Sequence, residues 1–405
     1  MRRVAFRSVQ RLASLRSPAL RPFVSRHSPL PPHRKINITR HLPVVNSMSF
    51  PKSQELPQSA RVLVFGAGNF GSCLASHLGD SQHNVYMWTR DECIVTEFNK
   101  THRNPMYLRD HQFPPNITCI GPELPTKEFM ETMDVLLFAI PTQFLRENLA
   151  ILHPQLDAKN MPLLIFVNKD IAKAATFISG PSFAKEIVER QPTSVSVASF
   201  TETEANKAST LFHQPHFRCY TGADPIGIEL AGALKNIYAI AAGMSDGLGY
   251  ENNTRAMIIT RGLAEMTCIG TSYGASPLTF LGLAGVGDLF LTCSSSNSRN
   301  YTVGYRLGKG ESLDTIMKTL GSIAEGVSTT KGVKTIIDEL GVNAPIANSV
   351  YDALYNGKDA RAAVRELMEL PPSKELELPP TAGGPARQLL RKLGLDESRS
   401  GDADL

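Results

Sequence analysis

From Arg61 onward, short apolar runs rich in β-branched residues alternate with longer stretches of helical periodicity. The runs are RVLVFG, HNVYMW, NITCIG, DVLLFAI, LLIFVN, TFISG, TSVSVAS and FRCYTG. This alternation predicts an α/β domain built on a largely parallel sheet, since strands buried on both faces read as near-continuous apolar segments. The alternation stops near Tyr220. From Ile226 to about Leu370 the pattern becomes long and helical with closely spaced Gly and Ala, as in GIELAGALKNIYAIAAGM, and a second, all-helical domain is expected there. From Pro371 the chain turns Pro-rich and polar, the composition of a disordered tail. The expected division is therefore a segment 1–54, a sheet domain 55–221, a helical domain 222–370 and a tail 371–405.

One stretch breaks the rhythm. In FVNKDIAKAATFISGPSF, the run LLIFVN and the run TFISG are separated by only a few residues beginning at Lys169. A crossover between parallel strands ordinarily needs a dozen residues or more. Either one of the two strands is misread, or a connecting element is absent.

Composition narrows the class. With 42% hydrophobic and 20% charged residues, the chain reads as ordinary globular protein. No run approaches about 18 uninterrupted apolar residues, so no transmembrane helix is expected. The six cysteines show no C-x-x-C pair and no metal-ligand clustering with histidine, which favours a reduced intracellular compartment over a disulfide framework. The net charge of +4 conceals an asymmetry: eleven Lys or Arg precede Glu55, the first acidic residue, leaving 4 − 11 = −7 for the rest. The Arg-rich, Ser-containing, acid-free start MRRVAFRSVQRLASLRSPALRPF has the composition of a mitochondrial transit peptide. The alternatives are a disordered basic tail, or a cytoplasmic protein started at Met48. The mildly acidic body gives no electrostatic reason to expect nucleic acid as a partner.

Three constellations carry candidate chemistry. The first is RVLVFGAGNFGSCLASHL, which places Gly66, Gly68 and Gly71 at G-x-G-x-x-G spacing directly after a strand and at the opening of a helix. In that context Gly66 permits the tight turn, Gly68 lets backbone approach a pyrophosphate, and Gly71 allows close helix–strand packing. The next strand ends Trp88-Thr89-Arg90-Asp91. Arg90 suits the adenine face or a 2′-phosphate, and Asp91 suits a ribose hydroxyl, so NAD and NADP both remain open. Trp88 reads equally as core and as cofactor contact.

The second constellation sets Lys235 and Asn236 into a helix of Ala, Gly, Ile and Leu, with 228, 231, 234, 238 and 242 on one face and Lys235 beside it. A lone lysine there is usually a snorkelling side chain, but small neighbours admit a ligand, and burial would suit the amine to general-base work. The third is LAGVGDLFLTCSSSNSRNYTVG. It carries Asp288 after a glycine-rich turn, then Ser298-Arg299-Asn300 at a helix start, donors well matched to a phosphate. Further on, Glu325 stands beside Gly326 at what reads as another glycine turn.

Together GAGNFG, the VNK of FVNK, GPSFAKE, GALKN, GLAGVGDLFLTC, SRNYTVG and AEGV, in this order from about Arg61 to Leu370, resemble the NAD(P)-dependent glycerol-3-phosphate dehydrogenases of bacterial and organellar type. The resemblance implies a Rossmann-like domain followed by a helical domain, with the active site between them. It implies reversible hydride transfer between NAD(P)H and dihydroxyacetone phosphate, giving sn-glycerol 3-phosphate, in a homodimer. By motif, Lys235 would be the base at the C2 hydroxyl, with Asp288 orienting it. Ser298, Arg299 and Asn300 would hold the substrate phosphate, Lys169 would meet substrate and cofactor, and Gly180 and Ser182 would border the substrate. Gly66, Gly68, Asn69, Phe70, Gly71, Arg90, Ala184, Arg299, Ile323 and Glu325 would contact the dinucleotide.

The sequence departs from the family at one place. The family usually reads Lys-Gly where this chain has Lys169-Asp170, and a helix normally precedes the strand into GPSFA. About twenty residues are expected to be missing near Asp170 and Ile171. Two other readings follow: a 6-phosphogluconate or 3-hydroxyacid dehydrogenase relative, against which GPSFA and SRNYTVG speak, and an inactive dinucleotide-binding product of the deletion.

Overall fold

The structure is a computed structural model that describes residues 55–152, 156, 161–167, 175–321 and 324–372. All of them fall within one compact unit beginning at Glu55. The basic N-terminal segment, the Pro-rich tail, Lys169, Ile323 and the junction at Asp170 and Ile171 lie outside the described residues.

Each of the eight apolar runs forms a strand: β1 Arg61–Phe65, β2 Asn84–Trp88, β3 Ile117–Ile120, β4 Val135–Phe138, β5 Leu163–Phe166, β6 Ala175–Ser179, β7 Thr193–Ser199 and β8 Phe217–Gly222. They build one sheet in the order β3-β2-β1-β4-β5-β6-β7-β8, parallel except where β7 runs against β6. Helices α1 Asn69–Asp80, α2 Glu92–Thr101, α3 Lys127–Met130, α4 Thr142–Leu152, α5 Ala184–Val188 and α6 Glu202–Phe212 lie between the strands in sequence. The first six strands follow the 3-2-1-4-5-6 order of doubly wound dinucleotide folds, in which ligands bind beyond the carboxyl ends of the strands.

Those carboxyl ends are locked together by an aromatic row. Trp88, Phe65, Phe138, Phe166 and Phe177 occupy matched register positions on β2, β1, β4, β5 and β6. Their rings stand 5.8, 4.9, 4.8 and 6.0 Å apart in turn, all five nearly or wholly buried. Such cross-strand aromatic neighbours fix register as well as burying area.

The row settles the strand question. Both LLIFVN and TFISG form strands, they are neighbours, and they are parallel, with Leu164 opposite Ala175 and Phe166 opposite Phe177. Because β6 begins only two positions short of the end of β5, the chain must return roughly 7 Å along the strands and about 4.8 Å sideways. The small overlap is what makes parallel pairing compatible with strands so close in sequence.

The helical half comprises α7 Pro225–Gly247, α8 Asn252–Ser272, α9 Pro277–Phe280, a π-helical turn at Leu283–Gly287, α10 Asp288–Ser294, α11 Arg299–Gly308, α12 Leu313–Thr319, α13 Glu325–Leu340, α14 Pro345–Tyr355 and α15 Ala360–Met368. Helix α7 is its axis. Ile228, Ala231, Leu234, Tyr238 and Ala242 are buried as their spacing predicts, but Ile237, Ala239 and Ile240 are buried too, so past Asn236 the helix is enclosed nearly all round. Helix α11 crosses it with backbone against backbone: a Cβ on Gly304 would stand 1.9 Å from Ile240 O, and one on Gly243 would stand 2.0 Å from Tyr301 O. Glycine at both positions is what lets the two helices approach so closely. Glu265 on α8 joins α14 to the core. It accepts N–H bonds from Ile346 (2.8 Å) and Ala347 (3.1 Å) and the hydroxyl of Tyr238 (3.2 Å). Burial nonetheless pushes its carboxyl up to about 7. No described helix is long and apolar enough to cross a membrane.

Candidate active site

A cavity of about 1210 Å³ opens beyond the carboxyl ends of the strands, between the sheet and α7, α10 and α11. That exceeds the roughly 300–1,000 Å³ of drug-sized ligand pockets and has room for more than one molecule.

The sheet side is made mostly of backbone. Gly66, at φ +115°, turns the chain out of β1, and a Cβ there would stand 2.8 Å from Ala139 O. Gly71 is pressed against the same turn, where a Cβ would lie 1.9 Å from Gly66 O. Gly68, the N-cap of α1, has nothing within 4 Å on its Cβ side and lines the cavity with Asn69 and Phe70. The open edge at Gly68, with the first turn of a 12-residue helix behind it, fits a dinucleotide pyrophosphate.

At the end of β2 the two candidates divide. Arg90 stands over the Phe144 ring at 5.0 Å and lines the cavity. Asp91 is the N-cap of α2, its Oδ1 accepting from Cys93 N at 3.0 Å and Ile94 N at 3.3 Å. Part of the carboxylate offered to a ribose is thus engaged by the helix. Trp88 is core first: it is 3% exposed, with Nε1 donating to Glu123 O at 2.8 Å, though its edge reaches the cavity.

The helical side is made of side chains. Lys235 Nζ on α7 donates to Asp288 Oδ2 at the start of α10; the lysine is partly exposed to the cavity and the aspartate is buried. Thr292, one turn along, donates to the Asp288 carbonyl at 2.6 Å and lies 3.3 Å from Oδ1. Oδ2 of the carboxylate is engaged by Lys235, with the Thr292 hydroxyl close to the other oxygen, and this pairing fixes where Nζ sits. Ser298 is the N-cap of α11, accepting from Tyr301 N at 3.3 Å. Arg299 is exposed to the cavity and forms no ion pair among the described residues. Asn300 is buried, with Oδ1 accepting Gly326 N at 2.9 Å, which ties the start of α11 to the start of α13.

Glu325 also lines the cavity, but Glu325-Gly326 is not a turn: it opens the 16-residue α13. Glycine at 326 serves packing there, since a Cβ would lie 2.8 Å from both Asn236 O and Asn300 Oδ1. Gly180, at φ +153°, and Ser182, whose hydroxyl donates to Gly180 O at 2.8 Å, border the cavity with Ala184.

The structure thus gathers Gly66, Gly68, Asn69, Phe70, Arg90, Gly180, Ser182, Ala184, Lys235, Asp288, Ser298, Arg299, Asn300 and Glu325 around one space, with Gly71 supporting it from behind. Sequence reasoning missed Thr292 and the segment Met106–His111, which also lines the cavity. Thr292 lies four residues after Asp288 in a helix, a spacing that could have signalled it. Nothing in RNPMYLRDH marks a ligand.

Comparison with known proteins agrees with this geometry. Residues 61–174 match the N-terminal domain of NAD-dependent glycerol-3-phosphate dehydrogenase, and residues 224–365 match its C-terminal domain. The chain is 38% identical over 332 residues to glycerol-3-phosphate dehydrogenase [NAD(P)+] of Levilactobacillus brevis, covering 77% of this chain and 98% of that protein. It is 37% identical over 327 residues to the protein of the same name from Staphylococcus saprophyticus, covering 76% and 98%. Among solved structures, the glycerol-3-phosphate dehydrogenase of Coxiella burnetii superposes with a TM-score of 0.72 at 32% identity, covering 78% of this chain and all of that one. The enzyme GPD1 of Saccharomyces cerevisiae gives 0.66 at 25% identity, covering 77% and all of that one. In the first alignment 77% of 405 residues is roughly 312, so this chain is about twenty residues shorter than the 332 aligned. On its motifs, its fold and these relatives, the chain belongs to the NAD-dependent glycerol-3-phosphate dehydrogenase family.

Proposed function

We propose that this chain catalyses reversible hydride transfer between NAD(P)H and dihydroxyacetone phosphate, giving sn-glycerol 3-phosphate. The observation that carries the reading is the Lys235–Asp288 pair, set in the same cavity as the fingerprint turn and the start of α11. A nicotinamide bound at the fingerprint supplies the hydride for reduction, or accepts it for oxidation. Lys235, aimed into the cavity by its pairing with Asp288, gives a proton to the C2 carbonyl oxygen during reduction. In the reverse direction the neutral amine takes the C2 hydroxyl proton. Asp288 holds the Lys235 side chain in place beside the cavity. Arg299 and the amide donor of Asn300 take the phosphate at the α11 N-terminus, where Arg299 forms no ion pair among the described residues.

The test is NADH consumption by purified chain with dihydroxyacetone phosphate and with unphosphorylated dihydroxyacetone, beside NAD(P)+ reduction with 6-phosphogluconate. Turnover with the first alone is expected. Equal turnover without the phosphate would remove the role given to Arg299, and turnover of 6-phosphogluconate alone would place the chain with another substrate.

Three further expectations belong to this reading. The twenty-residue shortening is assigned to the link between β5 and β6, at Asp170 and Ile171, which sequencing of the transcript across that junction tests. The basic N-terminal segment is assigned to mitochondrial delivery, tested by locating full-length and Met48-started fusions in cells. The assembly is expected to be a homodimer, and light scattering giving the monomer mass would refute this.

A further inference from the structure

We propose that Asn104 is a positioning residue for the dinucleotide: it sets the fingerprint turn and anchors a strap, Met106–His111, that completes the cofactor side of the cavity. Asn104 is wholly buried, and every hydrogen-bonding capacity of its amide is used. Nδ2 donates to Ala67 O and to Ser72 Oγ, each at 3.0 Å, while Oδ1 accepts from Met106 N and Tyr107 N, each at 3.0 Å. Ala67 is the residue between Gly66 and Gly68, and its carbonyl also accepts from Ser72 Oγ at 3.1 Å. A peptide unit is planar and trans, so its C=O and N–H point in opposite directions. Two donors holding Ala67 O therefore hold the Gly68 N–H turned away from them, as a donor must be to meet an anion at the mouth of the turn.

The same side chain fixes the near end of the strap through Oδ1. The far end is fixed separately, by His111 Nε2 and Ser76 Oγ at 2.7 Å, and Ser76 lies on α1, the helix the fingerprint opens. Met106, Tyr107, Leu108, Arg109, Asp110 and His111 all border the cavity. Both anchors tie the strap to the pyrophosphate cradle and neither ties it to the helical half. Its effect is accordingly on dinucleotide binding, not on the triose phosphate. A buried asparagine that merely closed a surface turn would need only the two Oδ1 contacts; the bond to Ala67 O is the part a purely local role does not use.

The experiment measures NADH affinity of the intact chain by fluorescence titration, then KM for NADH and for dihydroxyacetone phosphate, in Asn104→Ala, Asn104→Asp and Ser76→Ala. For Asn104→Ala the NADH Kd and KM are expected to rise roughly tenfold, the loss of about one good hydrogen bond. The kcat at saturating NADH and the KM for dihydroxyacetone phosphate should stay within about twofold, which a general loss of folding would not allow. Asn104→Asp keeps the acceptor for the strap but loses the donor to Ala67 O, so it should bind NADH as poorly as the alanine variant. Ser76→Ala releases only the far anchor, and a smaller weakening of about threefold is expected; it carries the test if Asn104→Ala does not fold. Unchanged NADH affinity in a folded Asn104→Ala, or in Ser76→Ala where the first does not fold, overturns the proposal. So does a matching rise in the KM for dihydroxyacetone phosphate. The parent chain is titrated first: one that binds NADH without turnover still carries this test, so failure of the catalytic reading is distinguishable.

Discussion

The two halves of this molecule build their shares of one site by different means. The sheet half uses backbone: a positive-φ glycine, an open N-cap and a third glycine pressed against the turn, all within six residues. The helical half uses side chains from helices far apart in sequence. Lys235 comes from α7, Asp288 and Thr292 from α10, Arg299 and Asn300 from α11, and they meet because glycine contacts bring α7 and α11 together. A backbone cradle is local and tolerant of its surroundings. A side-chain constellation depends on every helix crossing that places it.

The difference is sharpest when Lys235 is removed. Lys235→Ala should lower kcat by about 10³-fold, within the range for loss of general acid–base catalysis, while NADH affinity stays within about twofold. A comparable loss of NADH binding would show that the halves are not separable.

Acid should separate them next. All ten histidines precede Phe217, so the helical half has none. In the sheet half burial lowers His77 to about 4, and burial also lowers His83, His111 and His216. A histidine held neutral in the fold loses stability as pH falls from about 6.5 to about 4, because the unfolded chain takes the proton first; His77 alone accounts for about 3 kcal/mol. Glu265 in the helical half has the opposite sign. Its raised carboxyl, near 7, stabilises at low pH and loses that contribution as pH rises from about 4.5 to about 7. Hydrogen exchange compared at pH 4.5 and pH 7 should therefore show α1 and β8 loosening in acid before α8 and α14. Simultaneous loosening would contradict the assignment.

Arg299→Ala should raise the KM for dihydroxyacetone phosphate by roughly 10- to 100-fold, as expected for a charge-assisted bond to phosphate, and alter NADH affinity less. The smallest effect is expected from Asp91→Asn, which keeps the α2 cap: stability within about 0.5 kcal/mol and NADH affinity within about twofold. A tenfold loss of NADH affinity would instead make Asp91 the ribose contact.

The same contrast explains what the sequence made legible. All eight strands could be read, because strands buried on both faces announce themselves as apolar runs, and G-x-G-x-x-G could be read because its geometry is local. Lys235, Asp288 and Arg299 each had an ordinary reading of its own; only the order of several motifs joined them. Asn104 was invisible, since an asparagine before a proline looks like a turn and its bond to Ala67 spans 37 positions. Glu325 was misplaced because a glycine that packs within a helix looks, in sequence, like one that ends it.

The central claim is that the site survives the close sequence spacing of β5 and β6, whose parallel register includes the Phe166–Phe177 pair. The direct measurement is dihydroxyacetone phosphate-dependent NADH oxidation by this chain beside one carrying a twenty-residue crossover helix inserted after Lys169. The account predicts turnover by both. Turnover by the extended chain alone, with NADH still bound by the shorter one, would contradict it.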